Sequence, residues 1–381
     1  MKRRSAALAL CLSAALAPLF VSACSTLGGA PAEPVTLPHN GTGPYRELDV
    51  LETNVMPAGQ AIALPSESVD NAMIAPDRSL FYASAIFNAV MPVDAGMPAD
   101  AGPPGPDAGP TGPATTLGPN WLNHMPRRIS RSAGRSGNMG FDVGTVVLEA
   151  TQAWEGSYVT DPWVVQGPSG DWRLYYATEA GIGVATAASP EGPFTHGSAP
   201  ILASAGTSIP RRPSVVATRG LEGASHPFLL FFERDGRIET AGSADGLSFT
   251  PIGPLTLAPM RARDDRDGEE ESVGGPGAVV VTTITGRSFL RLYYESRRSN
   301  GSTLLTLAAS PNGATFEDFG RPVVNTLGRR FAAPFELDER ISLLVQWSPP
   351  PRGARNQGVL VIGIAPAGAR LAPEAMMMPG M

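Results

Sequence analysis

Apolar residues along this chain fall in short runs set apart by glycine, proline, asparagine and aspartate, and the helical spacing of three and four is scarce. Runs of that length between turn formers predict short strands. The runs recur in a fixed order. One copy opens on Asp161-Pro162-Trp163-Val164-Val165 and turns at 167–170. It continues through Trp172-Arg173-Leu174-Tyr175-Tyr176-Ala177 and 181–187, and ends in Ser189-Pro190-Glu191-Gly192-Pro193-Phe194. A second runs Arg212-Pro213-Ser214-Val215-Val216, Phe228-Leu229-Leu230-Phe231-Phe232, 238–243 and Asp245-Gly246-Leu247-Ser248-Phe249. A third runs Gly275-Pro276-Gly277-Ala278-Val279-Val280, Leu290-Arg291-Leu292-Tyr293-Tyr294-Glu295, 304–310 and Asn312-Gly313-Ala314-Thr315-Phe316. Weaker copies flank these. The first has strands at 70–76 and 79–84 and is completed around 141–150; the last has strands at 331–336, 341–347 and 359–365. Each copy is a unit of about 45 to 60 residues. Five copies predict an all-β fold, a five-bladed β-propeller of four-stranded antiparallel blades. One small sheet cannot bury both faces, whereas sheets packed radially bury one another and a closed ring limits exposed edges. A β-sandwich or two unrelated sheets would draw on the same strands.

The strand pattern is absent in four places. Lys2, Arg3 and Arg4 precede an apolar run, 6–21, that ends in Val21-Ser22-Ala23-Cys24. This is the layout of a secretory signal, and it resembles the bacterial lipobox, in which the cysteine is acylated and becomes the new N-terminus. Residues 1–23 are thus expected to be a lipoprotein signal peptide, with Cys24 the lipidation site and its acyl chains (palmitate or similar) the membrane anchor. Ser25, rather than Asp, follows the cysteine, which in such lipoproteins points to the outer membrane. Residues 24–44 are rich in proline, glycine and small residues and read as a flexible tether. Residues 92–119, built from proline, glycine, alanine and aspartate, read as a disordered insertion between strands, and 373–381 as a disordered tail. The propeller is expected over 45–372.

Composition narrows the chemistry. Cys11 lies in the removed segment, so the mature chain keeps one cysteine and forms no internal disulfide. Lys2 is the only lysine, which leaves no group for Schiff-base chemistry. With Lys2, Arg3 and Arg4 removed from 29 cations, 26 remain against 35 acids, a formal charge near −9 that disfavours nucleic acid as a partner. His39, His124, His196 and His226 show no clustering, so neither a metal nor another cofactor is expected.

The 158–325 region carries a resemblance. Asp-Pro-Trp-Val-Val, then Trp-Arg-Leu-Tyr-Tyr-Ala, then Ser-Pro-Glu-Gly-Pro-Phe is similar to the blades of propeller glycosidases. These are the arabinanases and β-xylosidases of glycoside hydrolase family 43, with the related fructosidases and mannoside phosphorylases. The resemblance implies carboxylates at the inner ends of the first strands, around a central funnel. One would serve as general base for water and another as general acid, with a third aspartate tuning the acid. Inverting hydrolysis needs two carboxyls about 6.5–9.5 Å apart and an acid whose pKa is raised by burial or a like charge.

Carried over by position, Asp70 falls at the base, although Asn71 stands where the family has proline. Glu271, or Glu270, falls near the acid, in Glu269-Glu270-Glu271-Ser272-Val273-Gly274-Gly275-Pro276, with altered spacing. Arg212 stands at the tuning aspartate's place before Pro213, and Asp161 becomes the best-placed acid, one blade early. Each has a structural alternative: Asp161 and Asp70 as turn or loop residues, the glutamates as part of a solvated charge run. Arg211 and Arg212 either pair with acids across the funnel or bind an anionic group. Trp154, Tyr158 and Trp163 either line a sugar platform or fill the core. Two functions follow. One is a hydrolase (or phosphorylase) acting on arabinose-, xylose- or fructose-containing glycan. The other is a propeller without chemistry that binds glycan or a protein partner at the cell envelope.

Overall fold

The computed structural model describes residues 46–51, 70–85, 127–133, 144–259, 269–282, 286–318, 329–337, 340–347, 360–364 and 370–371. The signal segment, Cys24, the tether, the 92–119 insertion and the 373–381 tail lie outside the described residues. Among the described residues no helix is long and apolar enough to cross a membrane.

The chain enters on β1 (Arg46–Leu51). The first sheet follows: β2 (Asp70–Ile74), β3 (Leu80–Ala85), β4 (Arg127–Ser132) and β5 (Thr145–Leu148), in that order. The second holds β6 (Thr160–Gln166), β7 (Trp172–Thr178), β8 (Gly181–Ala187), β9 (Thr195–His196) and β10 (Leu202–Ala203). The third is β11 (Arg211–Ala217), β12 (Phe228–Arg234), β13 (Arg237–Ser243) and β14 (Thr250–Pro254). The fourth is built on β16 (Glu270–Thr282), β17 (Ser288–Arg298), β18 (Thr303–Ser310) and β19 (Phe316–Asp318), with β15 (Leu257–Pro259) beside β19. The last sheet takes β20 (Arg329–Leu337), β21 (Arg340–Trp347) and β22 (Leu360–Ile364). Its fourth strand is β1, antiparallel to β22, while β23 (Arg370–Leu371) flanks β16.

The first strands of the sheets pack in cyclic order: β2 on β6, β6 on β11, β11 on β16, β16 on β20, and β20 back on β2. The fold is an all-β propeller with four-stranded antiparallel blades. Strands near the axis are covered on both faces, which is why they read as unbroken apolar runs and not as alternation. Every residue of β7 is buried, and β18 is buried from Leu304 onward.

The third and fourth strands of two blades are joined by a repeated turn. Asp245 Oδ1 accepts from the amides of Leu247 at 2.8 Å and Ser248 at 2.9 Å. Asn312 Oδ1 does the same for Ala314 and Thr315, at 2.9 and 3.1 Å. Both are Asx turns, which explains an acid or its amide at this place. Phe249 and Phe316, just beyond, are buried. The turn of the third blade seats on the second strand of the blade before it: Tyr175 Oη donates to the Gly246 carbonyl at 2.6 Å, and the Tyr175 and Phe249 rings meet edge to face.

Two strands differ from the sequence expectation. β4 supplies the first blade's third strand directly after the insertion, where the pattern placed no strand before 141. β1 supplies the outer strand of the last blade. Both are polar, and both pair across a long sequence separation.

Candidate functional site

Each inner strand slips register near its start. The shifts fall between Asp70 and Met73, Thr160 and Trp163, Arg211 and Ser214, Gly274 and Gly277, and Arg330 and Ala332. In four of these irregularities one residue has a left-handed φ: Asn71 at 47°, Asp161 at 53°, Arg212 at 53° and Gly275 at 54°. Glycine takes this conformation freely, and for other residues it costs about 1 kcal/mol or more. Asparagine and aspartate tolerate it; arginine gains nothing from it locally. The twist turns the side chains out of the strand's alternation, and they meet across blades.

Asp161, 4% exposed, is the hub. Its Oδ1 accepts from Asn71 Nδ2 of the first blade and, at 3.4 Å, from the Thr160 hydroxyl. Its Oδ2 accepts the Arg212 backbone amide of the third blade at 3.1 Å. The Arg212 side chain reaches the other way. Nη1 lies 2.9 Å from Glu295 Oε1 and 3.3 Å from Glu233 Oε2. Arg297 completes the group with a two-pronged contact to Glu233, at 2.9 and 3.1 Å, and a contact to Glu295 Oε2 at 3.1 Å. The Glu295 side chain is fully buried. Burial works against the Arg212 charge, but Glu295, Glu233 and Asp161 around it hold the guanidinium more firmly protonated than usual. The Arg297 guanidinium is shifted the same way: burial opposes its charge, and Glu233 outweighs that.

Two glycines make the room. A Cβ on Gly274 would fall 2.2 Å from Glu233 Oε2, and one on Gly275 would fall 2.7 Å from Glu295 Oε1. Gly275 also donates its amide to Glu233 Oε2 at 3.0 Å. The Gly274-Gly275-Pro276 segment therefore serves to admit the glutamates of β12 and β17. No acid stands at that register position in the fourth blade.

The structure brings Asp161, Arg212, Tyr158 and Arg211 to one place. Tyr158 is 7% exposed; burial pushes its hydroxyl up, with Arg211 and Asp161 close enough to pull it in opposite directions. Asp70 pairs with Ala83 along the backbone, one residue ahead of Asn71. Glu271 is exposed at a second irregularity of β16, and Glu270 accepts from Ser296 Oγ at 2.5 Å, so neither joins the Asp161 group through a described contact. Trp163 is no sugar platform. It is 4% exposed and its indole donates to the Val215 carbonyl at 2.9 Å, packing one blade on the next. Trp154 stacks on Tyr176, 6.2 Å between ring centroids, and donates to the Gly197 carbonyl at 3.2 Å.

Sequence reasoning missed Asn71, Glu233, Glu295 and Arg297. A signal existed: Phe231-Phe232-Glu233 and Tyr293-Tyr294-Glu295 both put a glutamate after an aromatic pair in the second strand of consecutive blades. Among the described residues no group of acids, histidines and cysteines is suited to a metal ion. All three carboxylates of the cluster act as acceptors, and two are balanced by arginine. The arrangement can orient hydroxyl and anionic groups.

A cavity of about 520 Å³ lies at the opposite ends of β6 and β11, lined by Gln166, Pro168, Thr218, Leu221, His226 and Phe228 among others. It is separate from the Asp161 cluster.

No protein-family model and no curated protein matches the sequence. Solved structures do. An endo-arabinase from Bacteroides thetaiotaomicron superposes with a TM-score of 0.51 at 14% identity, over 82% of this chain and 96% of that one. A β-xylosidase/α-arabinofuranosidase of glycoside hydrolase family 43 from a compost microbial metagenome, in complex with xylotriose, gives 0.51 at 16%, over 83% and 95%. A fructofuranosidase from Schwanniomyces occidentalis complexed with fructosylnystose gives 0.53 at 11%, over 86% and 64%. Likeness at such identities shows the fold, the β-propeller of these glycosidases.

Proposed function

We propose that the chain is a glycan-binding propeller of the cell envelope, its five sheets forming five blades and its funnel holding sugar without cleaving it. The observation that carries this reading is Arg212. It stands among the carboxylates with a backbone twist that glycine would take more cheaply, and it is neutralised by Glu233 and Glu295. An arginine beside a carboxyl favours the charged form and so opposes general-acid duty. The structural neighbours include proteins in complex with xylotriose and fructosylnystose, which supports a carbohydrate as the ligand. Export and anchoring rest on the basic, apolar and Val21-Ser22-Ala23-Cys24 segments, with Cys24 acylated and the propeller held at the outer membrane by its tether.

The hydrolytic reading assigns Asp70 as base, Asp161 as acid and Glu271 as a further carboxylate. One experiment separates the two. The domain from residue 45 onward is assayed on chromogenic arabinosides, xylosides and fructosides, and for binding of arabino-, xylo- and uronate oligosaccharides by calorimetry. Binding without turnover is expected. Turnover that Asp161→Asn abolishes would replace the binding reading with the hydrolytic one. Metabolic labelling with palmitate, lost in Cys24→Ala, tests the anchor.

A further inference from the structure

The Asp161 cluster leaves an unequal set of unused groups. Arg211 is half-buried and has no hydrogen bond or ion pair among the described residues. The Tyr158 hydroxyl, on a side chain more than nine-tenths buried, also has no hydrogen-bond partner among them. The Arg212 amide bond to Asp161 joins the starts of β11 and β6 and so brings Arg211 and Tyr158 to the same end of adjoining strands, where the charges of Arg211, Asp161, Glu179 and Arg127 act on that hydroxyl. Arg212 spends Nη1 on Glu233 and Glu295, and its Nε and Nη2 donate to nothing among the described residues. Its side chain keeps 19% exposure. A guanidinium carries five N–H donors in a planar fork, so one edge of Arg212 remains free. The unused groups are thus donors, most of them cationic, and the acids whose charges act there are Asp161 and Glu179.

Resting on the glycan-binding reading, we infer that the ligand is an acidic glycan, with a uronic acid carboxylate seated on Arg211, Tyr158 and the free edge of Arg212. A neutral sugar offers hydroxyls, which suit Asp161 but leave Arg211 without a counter-charge. A free sulfate ion would meet the arginines but would bring its charge toward Asp161 with no hydroxyl to offset it. A uronic acid ring presents both kinds of group on one rigid body: a carboxylate for the arginine fork and Tyr158, and hydroxyls to donate to Asp161. Charge-assisted bonds of this kind are roughly twice as strong as neutral ones, and removing a partner leaves its mate unpaired.

The test uses the full propeller domain with galacturonate, arabinose and xylose trimers, and a sulfated trimer as a fourth probe, measured by calorimetry. The galacturonate trimer is expected to bind about tenfold or more tightly than the neutral trimers. Arg211→Met, which keeps the aliphatic stem, and Tyr158→Phe are expected to erase that preference, bringing the galacturonate trimer's affinity down to that of the neutral trimers. A melting curve for each variant confirms that it is folded. Equal affinity for acidic and neutral trimers, or a preference that survives Arg211→Met, overturns the acidic assignment and leaves glycan binding intact. Preference for the sulfated trimer overturns the carboxylate in favour of a sulfate ester. Binding of none of the four overturns both readings.

Discussion

Arg212 is held in place from two directions. Its amide is fixed by Asp161 and its guanidinium by Glu233 and Glu295. Taking the cation away strips Glu295, whose side chain is fully buried, of one arginine partner and leaves it the Arg297 contact. Breaking a buried pair by removing one partner costs about 3–5 kcal/mol, and the residual Arg297 contact places Arg212→Met at the low end. The double variant Arg212→Met/Glu295→Gln is expected to recover much of the loss, because neutralising both members removes the orphaned charge. Urea midpoints of the two variants measure this. A second residue effect concerns acid. Burial opposes the Glu155 charge, yet hydrogen bonds from Tyr176, the Gln152 and Thr151 amides and His196 outweigh it and hold the carboxyl below its ordinary 4.5. A carboxyl depressed in the folded state contributes stability above the unfolded pKa, and that contribution drains away as pH falls through the folded value. Glu155→Gln is therefore expected to lower stability near neutrality and to flatten the acid limb below about pH 4.5 in urea titrations.

At the scale of the element, close approach of inner strands explains a glycine that no turn requires. A Cβ on Gly277 would fall 1.7 Å from the Ala332 carbonyl oxygen of β20. Gly277→Ala must push the fourth and last blades apart, at a cost of about 1–3 kcal/mol, seen as a lower melting temperature without change in the β-sheet circular dichroism of the surviving fold. Such elements also show what the sequence discloses. The inner and second strands were legible because burial on both faces demands unbroken apolar runs, as in Phe228–Phe232. Asp161 was legible because a lone acid precedes such a run. Glu233 and Glu295 were not singled out: they follow their runs, and no linear pattern says which end of a strand faces the axis. β4 (Arg-Arg-Ile-Ser-Arg-Ser) was missed because it is mostly polar, with Ile129 and the small serines Ser130 and Ser132 facing inward. Trp163 was left open between platform and core because aromatic side chains suit a sugar face and an interblade seam equally well.

For the whole molecule, the cyclic packing of β2, β6, β11, β16 and β20 depends on the last sheet, and that sheet depends on β1. Without β1, β22 presents an unpaired edge, a template for association with other chains. Removing residues up to 51 is expected to lower the melting temperature and to shift the protein from the elution volume of the intact domain toward aggregates in size-exclusion chromatography. A truncated chain with unchanged elution and melting would show that β1 is dispensable.

The pairing of Arg46–Leu51 with Leu360–Ile364 also sets a timetable. Strand β1 leaves the ribosome long before its partner. During synthesis the early strand has no β22 to pair with, while the blades between can form one after another as each emerges. Closing so long a loop makes the final pairing slow. The ring is thus completed only after Leu360–Ile364 has been made, and a ribosome that stops before residue 360 leaves an open, sticky arc. Joining strands so far apart in one sheet works as a proofreading step: only a copy that includes β22 can shut.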